Sequence, residues 1–263
     1  MEIVVTIAGS DPSGGAGIQQ DLKTITAHGC YGATVITSIT SQNTMGVQAS
    51  MPVPPDVVTS QLHAVLTDLE PAAVKIGMLP DGAVAEAVAV ELRSYLQAHP
   101  VPVVYDPVMV STSGYPLMHQ EAIAFITEQL FPLCTLITPN IPETSTLLAM
   151  MGESFSPSGI LYAGGVLSRR YATAFLLKGG HADSSRMTDY LFEADGTVGQ
   201  YTTEKIVSTN LHGTGCTLSS AIAACLAQGD SLSVAVGKGK EYVTAAIRRS
   251  VDSHIGHGNG PLI

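Results

Sequence analysis

Short apolar runs alternate along this chain with longer stretches of helical periodicity, and this alternation restricts the possible folds more than any other feature. The runs are rich in Val, Ile and Thr and are apolar throughout, as strands buried on both faces are. The strand candidates are Ile3–Ala8, Ala33–Thr40, Ala72–Ile76, Val101–Tyr105, Thr135–Thr138 and Ala172–Leu177. The helical candidates are Gly17–His28, Asp56–Leu69, Asp81–Ala98, Gln120–Leu130, Pro142–Met150, Gly159–Tyr171, Thr217–Gln228 and Ser231–Val251. This order predicts an α/β fold with a central, mostly parallel sheet flanked by helices on both faces.

One segment departs from the alternation. Met187–Phe192 and Val198–Thr203 are joined by Glu193–Thr197, which contains an Asp-Gly dipeptide, so we predict a small β-hairpin there. The sequence shows no linker, repeat or low-complexity tract, and we therefore predict that residues 1–263 form a single domain.

The charge and hydropathy of the chain exclude several classes of partner. The formal net charge is −10 at pH 7, which argues against nucleic acid, because its binding depends on Lys and Arg. No apolar run approaches the ~20 residues that cross a membrane, and the first residues lack the basic segment of a secretory leader. The 4 cysteines include no C-x-x-C pair, and we expect them to be reduced. We therefore expect a soluble cytoplasmic protein.

Polar residues and glycines follow the predicted strands. Because ligands of open α/β sheets bind beyond the carboxyl ends of the strands, we expect these residues to share one rim. They are Gly9 to Asp11, Gln42 and Asn43, Gly77 and Met78, Asp106 to Met109, Asn140 and Glu143, and Lys178 to His181. Individually, Asp11 could be a helix cap, Met78 a core residue and Gln42 a solvated loop residue. Together, carboxylates, an amide and a lysine are the groups that a magnesium–nucleotide complex requires.

A glycine-rich turn, His212-Gly213-Thr214-Gly215, leads into Cys216 and an alanine-rich helix. The N–H groups at a helix start lack partners and carry partial positive charge, and glycines let the backbone close on a phosphate. We therefore predict an anion-binding nest at residues 213–216. A helix N-terminus also lowers the pKa of a thiol, so we expect a lowered pKa at Cys216.

The common nucleotide and metal motifs do not fit this chain. The pattern G-x-x-x-x-G-K-[ST] is absent, and the segment from Gly15 to Gln20 begins like a dinucleotide-binding loop but ends in Gln. The 8 histidines are scattered without the spacing of zinc ligands.

Several longer segments carry a family resemblance. "TIAGSDPSGGAGIQQDLKT", "SQNTMGVQ", "KIGML", "DPVMVSTSG", "LITPNIPET", "LLKGGH" and "HGTGCTLSSAIA" resemble the hydroxymethylpyrimidine/phosphomethylpyrimidine kinases, which belong to the ribokinase-like superfamily. The resemblance runs from Ile3 to the tail "HIGHGNGPL" and is weakest between Met151 and Tyr171. It implies a ribokinase-like fold, a homodimer and a two-step reaction. ATP phosphorylates 4-amino-5-hydroxymethyl-2-methylpyrimidine, and the same site then converts the monophosphate into the diphosphate.

The resemblance also implies roles for individual residues. At the phosphoryl end, Gly213, Thr214, Gly215 and Cys216 form the nest, with Cys216 orienting or deprotonating the substrate hydroxyl. Lys178 and Asn140 bind the ATP phosphates, and Asp106 and Glu143 belong to the Mg²⁺ site. For the pyrimidine, the implied residues are Gly9, Asp21, Gln42, Met78 and Val108. The last two helices and the loop before Gly213 are expected to line the adenine end.

Three alternatives remain open from the sequence. A pyridoxine/pyridoxal kinase shares the fold, the cysteine and the hydroxymethyl chemistry, and the chain could have both activities. A thiol hydrolase would use Cys216 with a histidine such as His212. A non-catalytic nucleotide-binding module would keep the fold, although intact Asp106, Lys178 and Cys216 argue against loss of activity.

Overall fold

A computed structural model describes residues 1–111, 114–118, 120–180 and 185–263. Its centre is a sheet of 9 strands in the order β3-β2-β1-β4-β5-β6-β7-β8-β9. The neighbouring strands β2, β1, β4, β5, β6 and β7 run parallel to one another. Antiparallel pairs form at both sides of this block: β3 pairs with β2, β8 with β7, and β9 with β8. The prediction of a central, mostly parallel sheet is confirmed.

The predicted strands are present with shifted ends. In chain order they are β1 (Ile3–Ser10), β2 (Tyr31–Asn43), β3 (Gly46–Pro52), β4 (Ala73–Ile76), β5 (Val103–Tyr105), β6 (Leu136–Ile137), β7 (Ala174–Gly180), β8 (Arg186–Phe192) and β9 (Val198–Glu204). The hairpin predicted near residue 195 is β8–β9, and it extends the main sheet by pairing with β7. Strand β3 was not predicted, and its pairing with β2 prolongs β2 to Asn43.

The helices also lie where periodicity placed them. They are α1 (Gly17–Ala27), α2 (Pro55–Leu69), α3 (Gly82–Ala98), α4 (Gln120–Phe125), α5 (Ile141–Ala149), α6 (Ile160–Tyr171), α7 (Thr214–Ala227) and α8 (Leu232–Ser250). Helix α4 is shorter than predicted because it changes into a π-helical turn at Ile126–Leu130. No helix among the described residues is long and apolar enough to cross a membrane.

Two apolar cores flank the sheet, as helices on both faces require. One core packs side chains of α2 to α6, such as Leu62, Leu92 and Leu167, against the sheet. The other packs α1, α7 and α8, with Ile25, Ile222 and Val236 among its fully buried members. Because these strands are parallel, their carboxyl ends lie at one rim of the sheet, and the start of α7 lies beside this rim.

Candidate active site

A cavity of about 660 Å³ opens along this rim. The side chains and glycines that line it include every residue assigned above to substrate, nucleotide or metal, with the exception of Asp21. His181, which belongs to the KGGH motif, lies outside the described residues. The volume is in the range of about 300–1,000 Å³ that is typical of small-molecule sites.

The glycine nest forms the start of α7. Gly213 is its N-cap residue and has φ +84°, a conformation that glycine adopts without strain. A Cβ at Gly213 would overlap the carbonyl oxygen of Gly15, and one at Gly215 would lie 2.7 Å from Asp106 Oδ2 and 3.5 Å from Lys178 Nζ. The polarised N-terminus of α7 thus lies directly beside the charged residues of the rim, as the kinase hypothesis requires.

Cys216 lies in the first turn of α7. Burial raises the pKa of the Cys216 thiol to about 12, although the nearby Lys75 ammonium and the backbone N–H of Gly17 favour the thiolate and oppose this rise. The expectation of a lowered pKa is therefore wrong, because desolvation of the thiolate outweighs the helix N-terminus. The site holds a protonated thiol that can orient a hydroxyl but is a weak base. His212 contacts Asp11 and Gln42 instead, which does not favour the hydrolase alternative.

Lys178 and Asp106 form an ion pair at the cavity floor. Lys178 Nζ lies 2.7 Å from Asp106 Oδ1, which also accepts a 3.1 Å hydrogen bond from Thr138 Oγ1. Burial alone would lower the pKa of Lys178, but the Asp106 and Glu143 carboxylates outweigh it and raise the pKa above its usual value. Lys178 therefore remains an ammonium group able to meet an anion.

Asn140 and Glu143 form a capping box at the start of α5. Asn140 Oδ1 accepts from the Glu143 backbone N–H at 2.9 Å, and Glu143 Oε2 accepts from the Asn140 backbone N–H at 2.8 Å. Burial raises the pKa of Glu143 to about 7, while Lys178 opposes this rise and Asp106 adds to it. Both residues have a structural role as well as a place in the cavity wall.

The cavity wall also contains the residues assigned to the pyrimidine, Gly9, Gln42, Met78 and Val108. Gly9 leaves room for Met78, since a Cβ at Gly9 would lie 3.0 Å from the Met78 sulfur. Gln42 lies within β2 rather than in a loop after it, because residues 42 and 43 pair with β3. Its amide contacts Thr40 and His212.

Asp21 does not line the cavity. Its carboxylate is fully buried against Lys75, with Lys75 Nζ 2.8 Å from Oδ2, and it also accepts from Thr6 and Ser220 hydroxyls at 2.6 and 2.8 Å. Asp21 belongs to α1, and these contacts show that its side chain faces the sheet beneath the site. The side chain therefore reaches neither the cavity surface nor the protein surface. Lys75 was missed, although a lysine within the apolar run of β4 was a signal that could have revealed it.

A second missed pair lies near Lys178. Lys240 Nζ is 2.7 Å from Asp189 Oδ2, and Asp189 Oδ1 accepts from the Gly179 backbone N–H at 2.9 Å. Beyond this pair the cavity wall is formed by residues 203–206 and by apolar side chains of α8 such as Val243 and Ile247. The part of this wall that α8 contributes is apolar, whereas residues 203–205 are polar.

A mostly parallel sheet between two helical layers, with a glycine nest facing a lysine–carboxylate pair at the strand ends, defines a kinase of the ribokinase-like class. A sequence model of the family described as phosphomethylpyrimidine kinase matches residues 11–263. The hydroxymethylpyrimidine/phosphomethylpyrimidine kinase of Escherichia coli is 41% identical, over 98% of this chain and 95% of the relative. The chain belongs to the phosphomethylpyrimidine kinase family.

The chain is also similar to two proteins with different names. The thiamine biosynthesis bifunctional protein ThiED of Geobacter sulfurreducens is 44% identical over 98% of this chain, which spans 51% of that longer protein. The pyridoxal kinase of Staphylococcus aureus, solved with AMP-PCP and pyridoxal, matches with a TM-score of 0.86 and 31% identity, covering 100% of this chain and 93% of the other. The fold is therefore shared by kinases of two different aromatic alcohols.

Proposed function

We propose that this protein uses ATP to phosphorylate 4-amino-5-hydroxymethyl-2-methylpyrimidine and then its monophosphate, as a step of thiamin biosynthesis. Family membership supports this activity. The observation that carries it in the structure is the position of the α7 start beside the Lys178–Asp106 pair, in a cavity that also reaches Gln42. Such a site can hold a transferring phosphoryl group between a nucleotide and a small aromatic alcohol.

The phosphoryl end acts by position and charge. The substrate hydroxyl oxygen attacks the γ-phosphorus, the bond to the ADP oxygen breaks, and the hydroxyl proton is released. We assign the N–H groups of Gly213, Gly215 and Cys216 to the charge that develops on the γ-phosphoryl oxygens, and Lys178 to the ATP phosphates. The Thr214 N–H instead donates to the Leu211 carbonyl at 3.3 Å. A loose transition state of this kind needs little help from a base, so a protonated Cys216 that orients the hydroxyl is sufficient.

We assign Mg²⁺ to the carboxylates of Asp106 and Glu143, with Asn140 nearby on the nucleotide phosphates. Within the described ranges no group of three or more His, Cys, Asp and Glu side chains could hold a metal by itself. This fits Mg²⁺, which commonly takes one or two carboxylates and completes its shell with water and substrate phosphates. When bound, the ion neutralises phosphate charge.

The two ends of the cavity suit the two substrates. An aminopyrimidine offers an amino donor and ring-nitrogen acceptors, which the Gln42 amide can pair with while Gly9, Met78 and Val108 face the ring. At the other end, the apolar wall that includes Val243 and Ile247 suits adenine. Asp21 is better regarded as support for this site through Lys75.

ATP consumption measured with four phosphoryl acceptors tests the function. Hydroxymethylpyrimidine and its monophosphate are expected to be turned over much faster than pyridoxine or a sugar. Lys178→Met should raise the KM for ATP, whereas Lys238→Met, the same change at an exposed lysine, should not. Turnover of the sugar alone, or none of the four, would refute the assignment.

A second candidate is a pyridoxine or pyridoxal kinase, with or without the first activity. The similarity to the Staphylococcus aureus pyridoxal kinase over the whole chain favours it. Product analysis with both alcohols present distinguishes the two candidates. Pyridoxine phosphate as the main product would make vitamin B6 phosphorylation the primary activity.

We also infer a homodimer formed through the β2–β3 edge. Ile39, Met45 and Met51 are 49%, 66% and 58% exposed there, and edge strands with apolar side chains readily pair with another chain. Light scattering should give twice the monomer mass, and Met51→Lys should reduce it. Val198→Lys, at the opposite sheet edge, serves as the control, and a monomeric parent protein would overturn this inference.

We place the protein in the cytoplasm, where ATP is available. The free state of its cysteines (Cys30, Cys134, Cys216 and Cys225) is compatible with a reducing compartment. Cell fractionation tests this location, and recovery from a secreted or periplasmic fraction would contradict it.

A further inference from the structure

His212 connects the glycine nest to the pyrimidine end of the cavity. It directly precedes Gly213, and its Nε2 lies 2.8 Å from Asp11 Oδ2 and 3.2 Å from the Gln42 amide. The side chain of His212 is 9% exposed. Its ring lies against Gly15, where any Cβ would overlap it. The imidazole is therefore held in one position between the two ends of the site.

The contacts of Asp11 decide which imidazole nitrogen carries a proton. Asp11 accepts hydrogen bonds from the Ser13 backbone and hydroxyl and from the Ala16 backbone N–H. Burial would raise the pKa of Asp11, but hydrogen bonds from His212 and Ser13 hold it below its usual value. An ionised carboxylate only accepts hydrogen bonds, so the 2.8 Å contact requires a proton on His212 Nε2.

That proton fixes the orientation of the Gln42 amide. A protonated Nε2 cannot accept from the amide NH₂. Thr40 Oγ1 has one proton and gives it to the Ser10 carbonyl at 2.9 Å, so it cannot also donate to Gln42 at 3.3 Å. With the Gln42 oxygen toward His212 and its NH₂ toward Thr40, the amide donates to the Thr40 oxygen, and its own oxygen shares the Nε2 proton with Asp11 as the second, longer contact. The reverse orientation would set donor against donor and acceptor against acceptor, and amide orientation is assigned from such networks.

We propose that His212, held by Asp11, is a positioning residue that fixes the Gln42 amide and thereby selects which edge of the pyrimidine is accepted. This rests on the proposed function. With the amide oxygen toward His212, the amino group of the substrate lies on that side and the adjacent ring nitrogen lies toward Thr40. The hydroxymethyl group neighbours the amino group on the ring, so this orientation directs it toward the nest that follows His212.

The test compares two substrates that differ only at this edge. The 4-oxo analogue of hydroxymethylpyrimidine replaces the amino donor with an acceptor and the ring-nitrogen acceptor with an N–H donor. A site that hydrogen-bonds its substrate can reject a mismatched analogue by about 10⁴–10⁵-fold. The parent protein should prefer the 4-amino alcohol by at least about 100-fold in kcat/KM, and His212→Leu should reduce this ratio about tenfold or more by freeing the amide. His212→Gln, which can place an N–H near the Nε2 position, should retain most of the preference.

The ratio separates positioning from a general structural role. Both substrates are measured on the same preparation, so a smaller folded fraction cancels. In a Gln42→Ala background, His212→Leu should have no further effect on the ratio. An unchanged ratio in His212→Leu, or an equal reduction with Gln42 absent, would overturn the inference while leaving the kinase function intact. A parent protein that phosphorylates neither alcohol would instead refute the proposed function and this inference with it.

Discussion

The buried ion pair beneath the site should be a major determinant of stability. Lys75 Nζ and Asp21 Oδ2 are 2.8 Å apart and both side chains are 0% exposed. Removing one partner of such a pair leaves an uncompensated charge and typically costs about 3–5 kcal/mol, out of a total of about 5–15 kcal/mol for a domain. We therefore expect Asp21→Asn to lower the free energy of unfolding by about 3–5 kcal/mol.

The two sides of this pair should not respond equally. After Lys75→Met, Asp21 keeps the hydroxyl donors of Thr6 and Ser220. After Asp21→Asn, the Lys75 ammonium has lost its carboxylate in a fully buried position. Lys75→Met should therefore be the milder change, and combining both substitutions should restore part of the loss.

Urea unfolding at pH 7 measures these effects, and the chain offers a matched control. Lys238 and Asp230 form a pair of the same types at 2.7 Å, with side chains 54% and 21% exposed. Because exposed pairs contribute at most about 1 kcal/mol, Asp230→Asn should have little effect. If Asp21→Asn and Asp230→Asn shift the unfolding midpoint equally, burial is not what gives the Asp21–Lys75 pair its importance.

Three further changes test the chemistry and packing of the site. A thiol pKa of about 12 keeps Cys216 protonated at neutral pH, so its role is to orient the hydroxyl. Cys216→Ser should therefore keep kcat within about tenfold, while Cys216→Ala should lose about 100-fold; equal losses in steady-state kinetics would instead indicate a thiolate. Glu143 has its pKa raised from 4.5 to about 7, so its proton is bound more tightly in the folded state and stability should fall by about 3 kcal/mol as pH rises from 4.5 to 7. Glu143→Gln keeps the capping acceptor and should flatten that pH profile in urea unfolding; an unchanged profile would contradict the assignment. Gly213→Ala combines positive-φ strain with overlap onto Gly15 and should lower the free energy of unfolding by about 3 kcal/mol or more. Gly229→Ala is the control, because Gly229 has φ +90° but open space around it, and it should lower the free energy by only about 1–2 kcal/mol. Similar melting temperatures for the two variants would show that the overlap at Gly213 is relieved.

The parallel part of the fold could be predicted because its strands are buried on both faces and so read as continuous apolar runs. Their shared direction then placed Gly9, Asp106 and Lys178 at one rim. Strand β3 gives no such signal: Gly46–Pro52 is mostly exposed and gains its strand structure from pairing with β2. The extension of β2 that carries Gln42 follows from the same pairing, and neither can be read from local periodicity.

Interactions between distant residues explain the remaining differences. Asp21 lies in a helix with a polar and an apolar face, and nothing nearby in sequence indicates that it meets Lys75 of strand β4. For Cys216, the local rule about helix N-termini was sound but incomplete, because the degree of burial is a tertiary property and it determines the direction of the pKa change.

Two glycine-rich segments, residues 14–17, which lead into α1, and residues 213–215, at the start of α7, are far apart in sequence but pack against each other. A Cβ at Gly213 would overlap the Gly15 carbonyl, and one at Gly17 would overlap the Gly9 carbonyl. Gly17 also begins α1, and its backbone N–H lies near enough to Cys216 to favour the thiolate. The absence of side chains therefore lets the starts of α1 and α7 approach each other, and the proposed phosphate nest depends on the same glycines. Because α1 and α7 also enclose the buried Asp21 carboxylate, displacement of either loop would disturb the nest and its support together.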